Sequence, residues 1–155
     1  MLLLSLGLCA CATGPSTGGG TDPAASTQTP AQADLLAPPG LLGEWVDDYG
    51  NRYAITEELW LQRPNARYQV LGWKSGGGYL VAQNHPDNPS DGSLYTRIDW
   101  MALEDMEPYR WAFCLSAYKE PSAAAAEAST AAKRESPKTG CNGFPFSRLK
   151  PWTEH

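Results

Sequence analysis

The sequence predicts a mainly β protein, in which an antiparallel meander forms a curled sheet or a small (half-)barrel with one C-terminal α-helix packed on it. Short stretches of alternating apolar and polar residues recur between turn-forming residues, the pattern of half-buried strands. Six tryptophans and seven tyrosines against three phenylalanines also favour an amphipathic sheet. A single alanine-rich stretch near the C-terminus interrupts this pattern and indicates a helix.

The strands follow one another with short connections. Turn formers such as Asp48-Tyr49-Gly50-Asn51 and the glycines of Ser75-Gly76-Gly77-Gly78 separate alternating stretches and predict hairpins. Strands are expected over seven segments, namely 43–47, 52–56, 59–63, 67–73, 79–84, 94–103 and 109–118. A helix is expected at about 122–134, and residues 144–149 form a last extended segment that returns to the sheet.

The N-terminus has the features of an export signal. Residues 1–8 are apolar or small, and the cysteines Cys9 and Cys11 follow with Ala10 between them. A run this short falls well below the roughly 20 residues of a membrane-spanning helix. The basic residues that normally open such a signal are missing, so we expect the natural signal to begin upstream of Met1.

Leu8-Cys9-Ala10-Cys11 resembles the lipobox of bacterial lipoproteins, with Leu three positions and Ala one position before the modified cysteine. The resemblance implies cleavage after Ala10 and lipidation of Cys11. Cys9 fits the pattern poorly, because bulky Leu8 stands where a small residue is required. The implied organisation is a signal peptide over 1–10, a lipidated Cys11 with a disordered tether over 11–40, and a β domain over 41–152.

The two remaining cysteines lie on either side of the predicted helix. Cys114 falls in the last long strand and Cys141 in the loop after the helix. In an exported protein, two such cysteines most simply form one disulfide. Because Trp111, Phe113 and Leu115 alternate with Cys114, this bond should hold the helix against the sheet face opposite those apolar side chains.

Several classes of function are disfavoured. The net charge is −5 and the longest basic run is Lys133-Arg134, which argues against nucleic-acid binding. His85 and His155 are the two histidines, and His85 lies among turn formers, so no nucleophile–base pair or metal cluster can be assembled. We therefore expect no catalytic residues, no metal and no cofactor, with a hydrolase kept as a weaker alternative.

Two groups of residues are candidates for a ligand pocket. Arg97 and Asp99 point to the same side of their strand, so they form either a surface ion pair or, with Tyr95, the polar groups of a pocket beneath the helix or inside a cup. The second group consists of aromatic residues that line either a pocket or the core: Trp45, Trp60, Trp100, Trp111 and Phe113. Trp73, at a strand end, and Trp152, near the terminus, are instead candidates for surface contact.

Two further resemblances bear on the domain. Gly43-Glu44-Trp45 is similar to the Gly-x-Trp that opens lipocalins and lipocalin-like half barrels, whose Trp packs at the closed end. Residues 42–150, with Ile98-Asp99-Trp100 and the segment 140–144 as their most distinctive parts, resemble uncharacterised bacterial lipoproteins. That second resemblance implies no known activity.

Together these features predict an envelope lipoprotein, anchored in a bacterial membrane, most simply the outer membrane on its periplasmic or surface side. We expect non-enzymatic binding of a small apolar ligand or of an envelope partner. The alternative is a structural or assembly lipoprotein without a ligand cavity. A cavity lined by Trp and Tyr would favour the first role, and an exposed aromatic patch would favour the second.

Overall fold

In a computed structural model, which describes residues 35–153, the chain folds into a closed eight-stranded antiparallel barrel with one short helix packed on its outside. The strands are β1 Gly43–Asp47, β2 Arg52–Ile55, β3 Leu59–Gln62, β4 Ala66–Lys74, β5 Tyr79–Asn84, β6 Tyr95–Ala102, β7 Trp111–Glu120 and β8 Ser147–Pro151. The helix, α1, spans Ala123–Ala128. The predicted signal peptide, Cys11 and most of the predicted tether lie outside the described residues.

Each strand pairs with the next along the chain, and β1 pairs with β8 to close the barrel. In the closing register Trp45 lies opposite Pro151 and Asp47 opposite Leu149. The predicted meander and its segments are confirmed, and the last extended segment is the eighth strand. Alternation along the strands sends one set of side chains into the barrel and the other set outward.

Apolar and aromatic side chains fill the barrel. An eight-stranded barrel is just wide enough for its interior to be packed by side chains, and here the filling residues form one continuous cluster. The buried members are Leu41, Trp45, Tyr53, Ile55, Trp60, Trp73, Leu80, Ala82, Ile98, Trp100, Phe113 and Leu149. Trp73 is 2% exposed and its indole N–H donates to the Glu57 carbonyl, so the prediction of a surface position for Trp73 was wrong.

The segment before β1 folds across one end of the barrel. Leu41 is fully buried in the aromatic cluster, and Ala37 packs against the same cluster. The indole N–H groups of Trp45 and Trp111 donate to the carbonyls of Leu41 and Gly40, at 2.8 and 3.1 Å. Packed structure therefore begins a few residues before the predicted start of the domain at Leu41.

The helix is shorter than predicted. Ser122 caps its N-terminus by accepting from the Ala125 N–H, but the chain leaves the helix at Ser129 with extended backbone angles. From there it runs along the barrel wall, which buries Ala132 and brings Arg134 to the sheet. These tertiary contacts outweigh the helix propensity of the alanines, so the prediction of a helix as far as 134 was wrong.

Cys114 and Cys141 form a disulfide, as predicted. The bond joins the outer face of β7 to the segment that follows α1. A second apolar cluster surrounds it outside the barrel, formed by buried Ala112, Cys114, Ala132 and Phe146 with Met101, Leu103 and Cys141 packed against them. The disulfide thus fixes the chain after the helix to the face of β7 that points away from the interior.

Candidate functional site

The predicted pair Arg97 and Asp99 lies on the outer wall of the barrel and is buried there by the chain that covers β6. Asp99 is fully buried and Arg97 is 6% exposed. Arg97 Nε and Nη2 donate to the two carboxylate oxygens of Asp99 at 3.0 and 3.1 Å. This bidentate, charge-assisted arrangement is the strongest form of an Arg–carboxylate pair. The interpretation as an ordinary surface ion pair is therefore wrong, because both side chains lie beneath covering chain.

Two further groups use the remaining acceptor sites of Asp99. Arg134 Nη2 donates to Oδ1 at 2.9 Å, and the Ser116 hydroxyl donates to Oδ2. Arg97 in turn donates through Nη1 to the Glu127 carbonyl at the end of α1, at 2.8 Å. With its four acceptor positions engaged, the Asp99 carboxylate fastens the covering chain to the barrel and is not available as a base or ligand group.

The aromatic neighbour of Arg97 is Tyr79, whose ring lies 3.8 Å from the guanidinium carbon. Tyr79 pairs with Asp99 in the β5–β6 register, which the sequence does not reveal. Tyr95, the predicted companion of Arg97, accepts instead from the Gln83 amide at 3.4 Å. The structure thus joins Arg97 and Asp99 but surrounds them with Tyr79, Ser116 and Arg134 instead of a ligand cavity.

The glycine-rich turn between β4 and β5 also belongs to this network. Arg134 Nη2 donates to the carbonyls of Gly77 and Gly78 at 3.1 and 2.6 Å. Gly78 has a left-handed backbone, and a Cβ there would lie 2.9 Å from the guanidinium nitrogen. The left-handed turn therefore favours glycine, and a side chain here would displace the Arg134 guanidinium.

The aromatic candidates lie inside the barrel. Trp45, Trp60, Trp100 and Phe113 are buried, and Trp111 is partly buried against them. The ring centroids of Trp60 and Phe113 are 5.1 Å apart, and those of Trp100 and Trp111 are 5.7 Å apart in an edge-to-face arrangement. These separations are those of packed aromatic pairs, so the rings fill the interior themselves.

One buried ionisable pair stabilises the turn between β1 and β2. The Tyr53 hydroxyl donates to the carboxylate of Asp47 at 2.8 Å, and both side chains are buried. Asp47 also accepts from the backbone N–H groups of Tyr49 and Asn51. Burial, followed by the hydrogen bond to Asp47, raises the pKa of Tyr53 far above that of an exposed tyrosine.

The outer wall carries an apolar groove of about 450 Å³, which we call the outer groove. Its floor is the outward face of β6 and β7, one wall is the chain before β8, and the other is the β1–β2 turn. The lining residues are Asp48, Tyr49, Met101, Leu103, Met106, Ala112, Pro137, Lys138, Pro145, Phe146 and Arg148. No feature of the sequence indicated this groove, because its three sides meet through β8 pairing and the disulfide.

Beside the outer groove lies an exposed aromatic surface. Tyr49 is 72% exposed and Phe144 is 71% exposed, and both line a shallow pocket that also contains the disulfide. Tyr118, at the edge of the same pocket, is 44% exposed. Large exposed aromatic side chains close together are typical of interaction surfaces.

No cluster of three or more His, Cys, Asp or Glu residues suited to a metal ion occurs within residues 35–153. Among the same residues, no helix has the length and apolar character to cross a membrane. A scan of protein-family models and searches of curated proteins and of solved structures found no match to this chain.

Proposed function

We propose that this chain is a lipid-anchored envelope lipoprotein that acts by non-enzymatic binding on the outer wall of its barrel. The observation that carries the proposal is the filled interior: Trp60 is fully buried, and the rings around it occupy the space where a barrel would hold a ligand. Binding is then left to the outside, where the outer groove and the exposed aromatic surface lie side by side.

The hydroxyl and carboxylate groups of the outer wall are engaged with one another, which disfavours the alternative that the protein is a hydrolase. Ser116 donates to Asp99, and Asp99 is already held by two arginines. His85 is separate from this network: its Nδ1 accepts from the Asp87 backbone N–H in an exposed turn. Nucleophilic catalysis needs a base in contact with the nucleophile, and this geometry does not provide one.

An envelope protein is the partner that the exposed aromatic surface favours. Tyrosine, phenylalanine and methionine are enriched where protein surfaces meet, and Tyr49, Phe144 and Met106 supply them here at 40–72% exposure. The proposed anchor at Cys11 would keep this surface near the membrane, within the reach of a tether of about 30 residues, roughly 30 Å.

The anchor is tested with variants in which one cysteine is replaced by serine, expressed in a bacterium that processes lipoproteins. We expect Cys11→Ser to abolish incorporation of labelled fatty acid and to move the protein from the membrane to the soluble fraction. Cys9→Ser is the matched control and should leave both unchanged. Incorporation that persists in Cys11→Ser would contradict the proposal for that residue.

The binding surface is tested separately, with the full Cys11→Ser chain added to isolated envelope fractions. We expect saturable co-sedimentation that is lost in Tyr49→Ser/Phe144→Ser. Leu71→Ser, which changes a residue that is 50% exposed on β4, is the control for loss of an exposed apolar group. Equal binding by the double variant and the control would contradict a role for the aromatic surface.

A further inference from the structure

We propose that the outer groove binds a single-chain amphiphile with one negative charge on its head group, such as a medium-chain carboxylate. The inference rests on the proposed function in one respect, the location of binding on the outer wall, and it adds the chemistry of the ligand.

The size and lining of the groove suit one apolar chain. Its volume of about 450 Å³ lies in the lower part of the roughly 300–1,000 Å³ range of small-molecule sites. Met101, Leu103 and Ala112 form an apolar floor, and Phe146 forms part of a wall. Methionine side chains adapt to irregular apolar shapes, so Met101 and Met106 can close around a flexible chain.

The groove is held open by connections that do not depend on a ligand. The Cys114–Cys141 disulfide and the Phe146 N–H bond to the Pro137 carbonyl, at 2.9 Å, fix the wall formed by residues 137–146. Phe146 is 3% exposed, so its ring is already ordered in the second apolar cluster. A preformed site avoids the ordering cost that weakens binding to flexible surfaces.

The charges of the residues that line the groove favour a ligand with a negatively charged head group. Asp48 accepts from both Arg148 Nε, at 2.8 Å, and the Arg148 backbone N–H, so these two opposite charges neutralise each other. Lys138 is exposed and pairs with none of the carboxylates between residues 35 and 153. The lining therefore carries one uncompensated positive charge at the rim of an apolar groove, which is complementary to an amphiphile with a single negative charge.

The proposal is tested by titrating the full Cys11→Ser chain, labelled with ¹³C at the methionine methyl groups, with decanoate below its micelle concentration. The chain contains three methionines. Two of them, Met101 and Met106, line the groove, whereas Met1 lies outside the residues that the structure describes and serves as an internal control. We expect saturable shifts of two methyl signals and none at Met1.

Matched ligands and variants test the head group. We expect 1-decanol and decyltrimethylammonium to bind several-fold more weakly than decanoate. Lys138→Glu should weaken decanoate binding roughly three- to tenfold, as expected for reversal of one exposed charge, and should remove the preference over 1-decanol. Lys133→Glu, the same change at an exposed lysine that does not line the groove, should leave the affinity unchanged.

The proposal would be overturned by the absence of a saturable shift at the groove methionines, by equal shifts at Met1, or by equal affinity for decanoate and 1-decanol. Sedimentation with phosphatidylglycerol vesicles distinguishes a free amphiphile from a membrane lipid. Binding to vesicles without binding to decanoate would also overturn it. These outcomes are independent of the Cys11 and co-sedimentation tests, so failure of the ligand class is distinguishable from failure of the proposed function.

Discussion

The Asp99 carboxylate lies at the centre of the buried hydrogen-bond network on the outer wall. It is fully buried and accepts hydrogen bonds from Arg97, Arg134 and Ser116. A buried carboxylate is tolerated when charged donors satisfy it, but the loss of one charge leaves its partners unpaired. This residue therefore helps to hold the chain after α1 against the barrel, together with the disulfide.

We expect Asp99→Asn to lower the free energy of unfolding by about 3–5 kcal/mol, because it leaves the buried Arg97 guanidinium without a counter-charge. The matched control is Glu44→Gln, which removes a carboxylate from the exposed pair with Arg63 at 3.4 Å and should cost about 1 kcal/mol or less. Urea melts measure both. A similar loss in the two variants would show that the Asp99 network does not stabilise the fold.

Tyr53 is expected to make stability fall at alkaline pH. Burial and the hydrogen bond to Asp47 raise the pKa of Tyr53, whereas the same residue in the unfolded chain ionises near pH 10. The native state then keeps a proton that the unfolded state loses, so the free energy of unfolding decreases as pH rises above about 10. Tyr68, whose pKa is also raised, chiefly by burial, acts in the same direction.

We expect Tyr53→Phe to cost about 1–3 kcal/mol at pH 7, because Asp47 loses a buried donor, and to make the decline above pH 10 shallower. Tyr49→Phe changes a residue that is 72% exposed and should alter neither value. Urea melts between pH 7 and 11 provide the comparison. An unchanged alkaline slope in Tyr53→Phe would argue against a raised pKa at this site.

At the scale of elements, the sequence predicts each strand but not how far the helix extends. Alternation and turn formers are local signals, so each strand, from residues 43–47 onward, could be located from its own residues and the turns beside it. The alanine-rich stretch was predicted to be helical as far as 134, yet α1 ends at Ala128. The attraction that draws Arg134 to Asp99 acts between residues 35 positions apart, and no local pattern shows it.

The disulfide links two of these elements, and its contribution can be measured. It closes a loop between residues separated by 27 positions, which in the chain-entropy model corresponds to roughly 3–4 kcal/mol. We expect Cys114→Ala/Cys141→Ala to lose about that much stability while keeping the circular dichroism of the barrel, because the strands pair independently of it. Loss of the β spectrum instead would mean that the outer segment is required for the barrel to form.

For the whole molecule, the question that the sequence left open was whether the sheet closes. Closure depends on the pairing of β1 with β8, which joins Val46 to Lys150 across most of the domain. Hydrophobic alternation is the same in an open sheet and in a closed barrel, so it could not decide between them. The same ambiguity explains Trp73, which stands at a strand end in sequence but lies within the closed interior.

A filled barrel makes a specific prediction for its central ring. Trp60 is fully buried, with ring centroids 5.1 Å from Phe113 and 6.4 Å from Tyr53. Trp60→Ala should therefore cost about 3–5 kcal/mol in urea melts, because it removes a large buried ring and leaves a cavity. Trp152→Ala is the matched control: its partly exposed ring, beneath the Arg52 guanidinium at 3.9 Å, should contribute about 1 kcal/mol or less.

The new cavity also provides a direct measure of how full the natural interior is. A dry apolar cavity binds small apolar molecules, so Trp60→Ala should bind benzene and recover part of its lost stability, whereas the unaltered protein should gain none. Thermal melts with and without saturating benzene make the comparison. If benzene stabilises the unaltered protein as strongly as the variant, the barrel already contains open apolar space, and an interior ligand would again become the better explanation of what this protein binds.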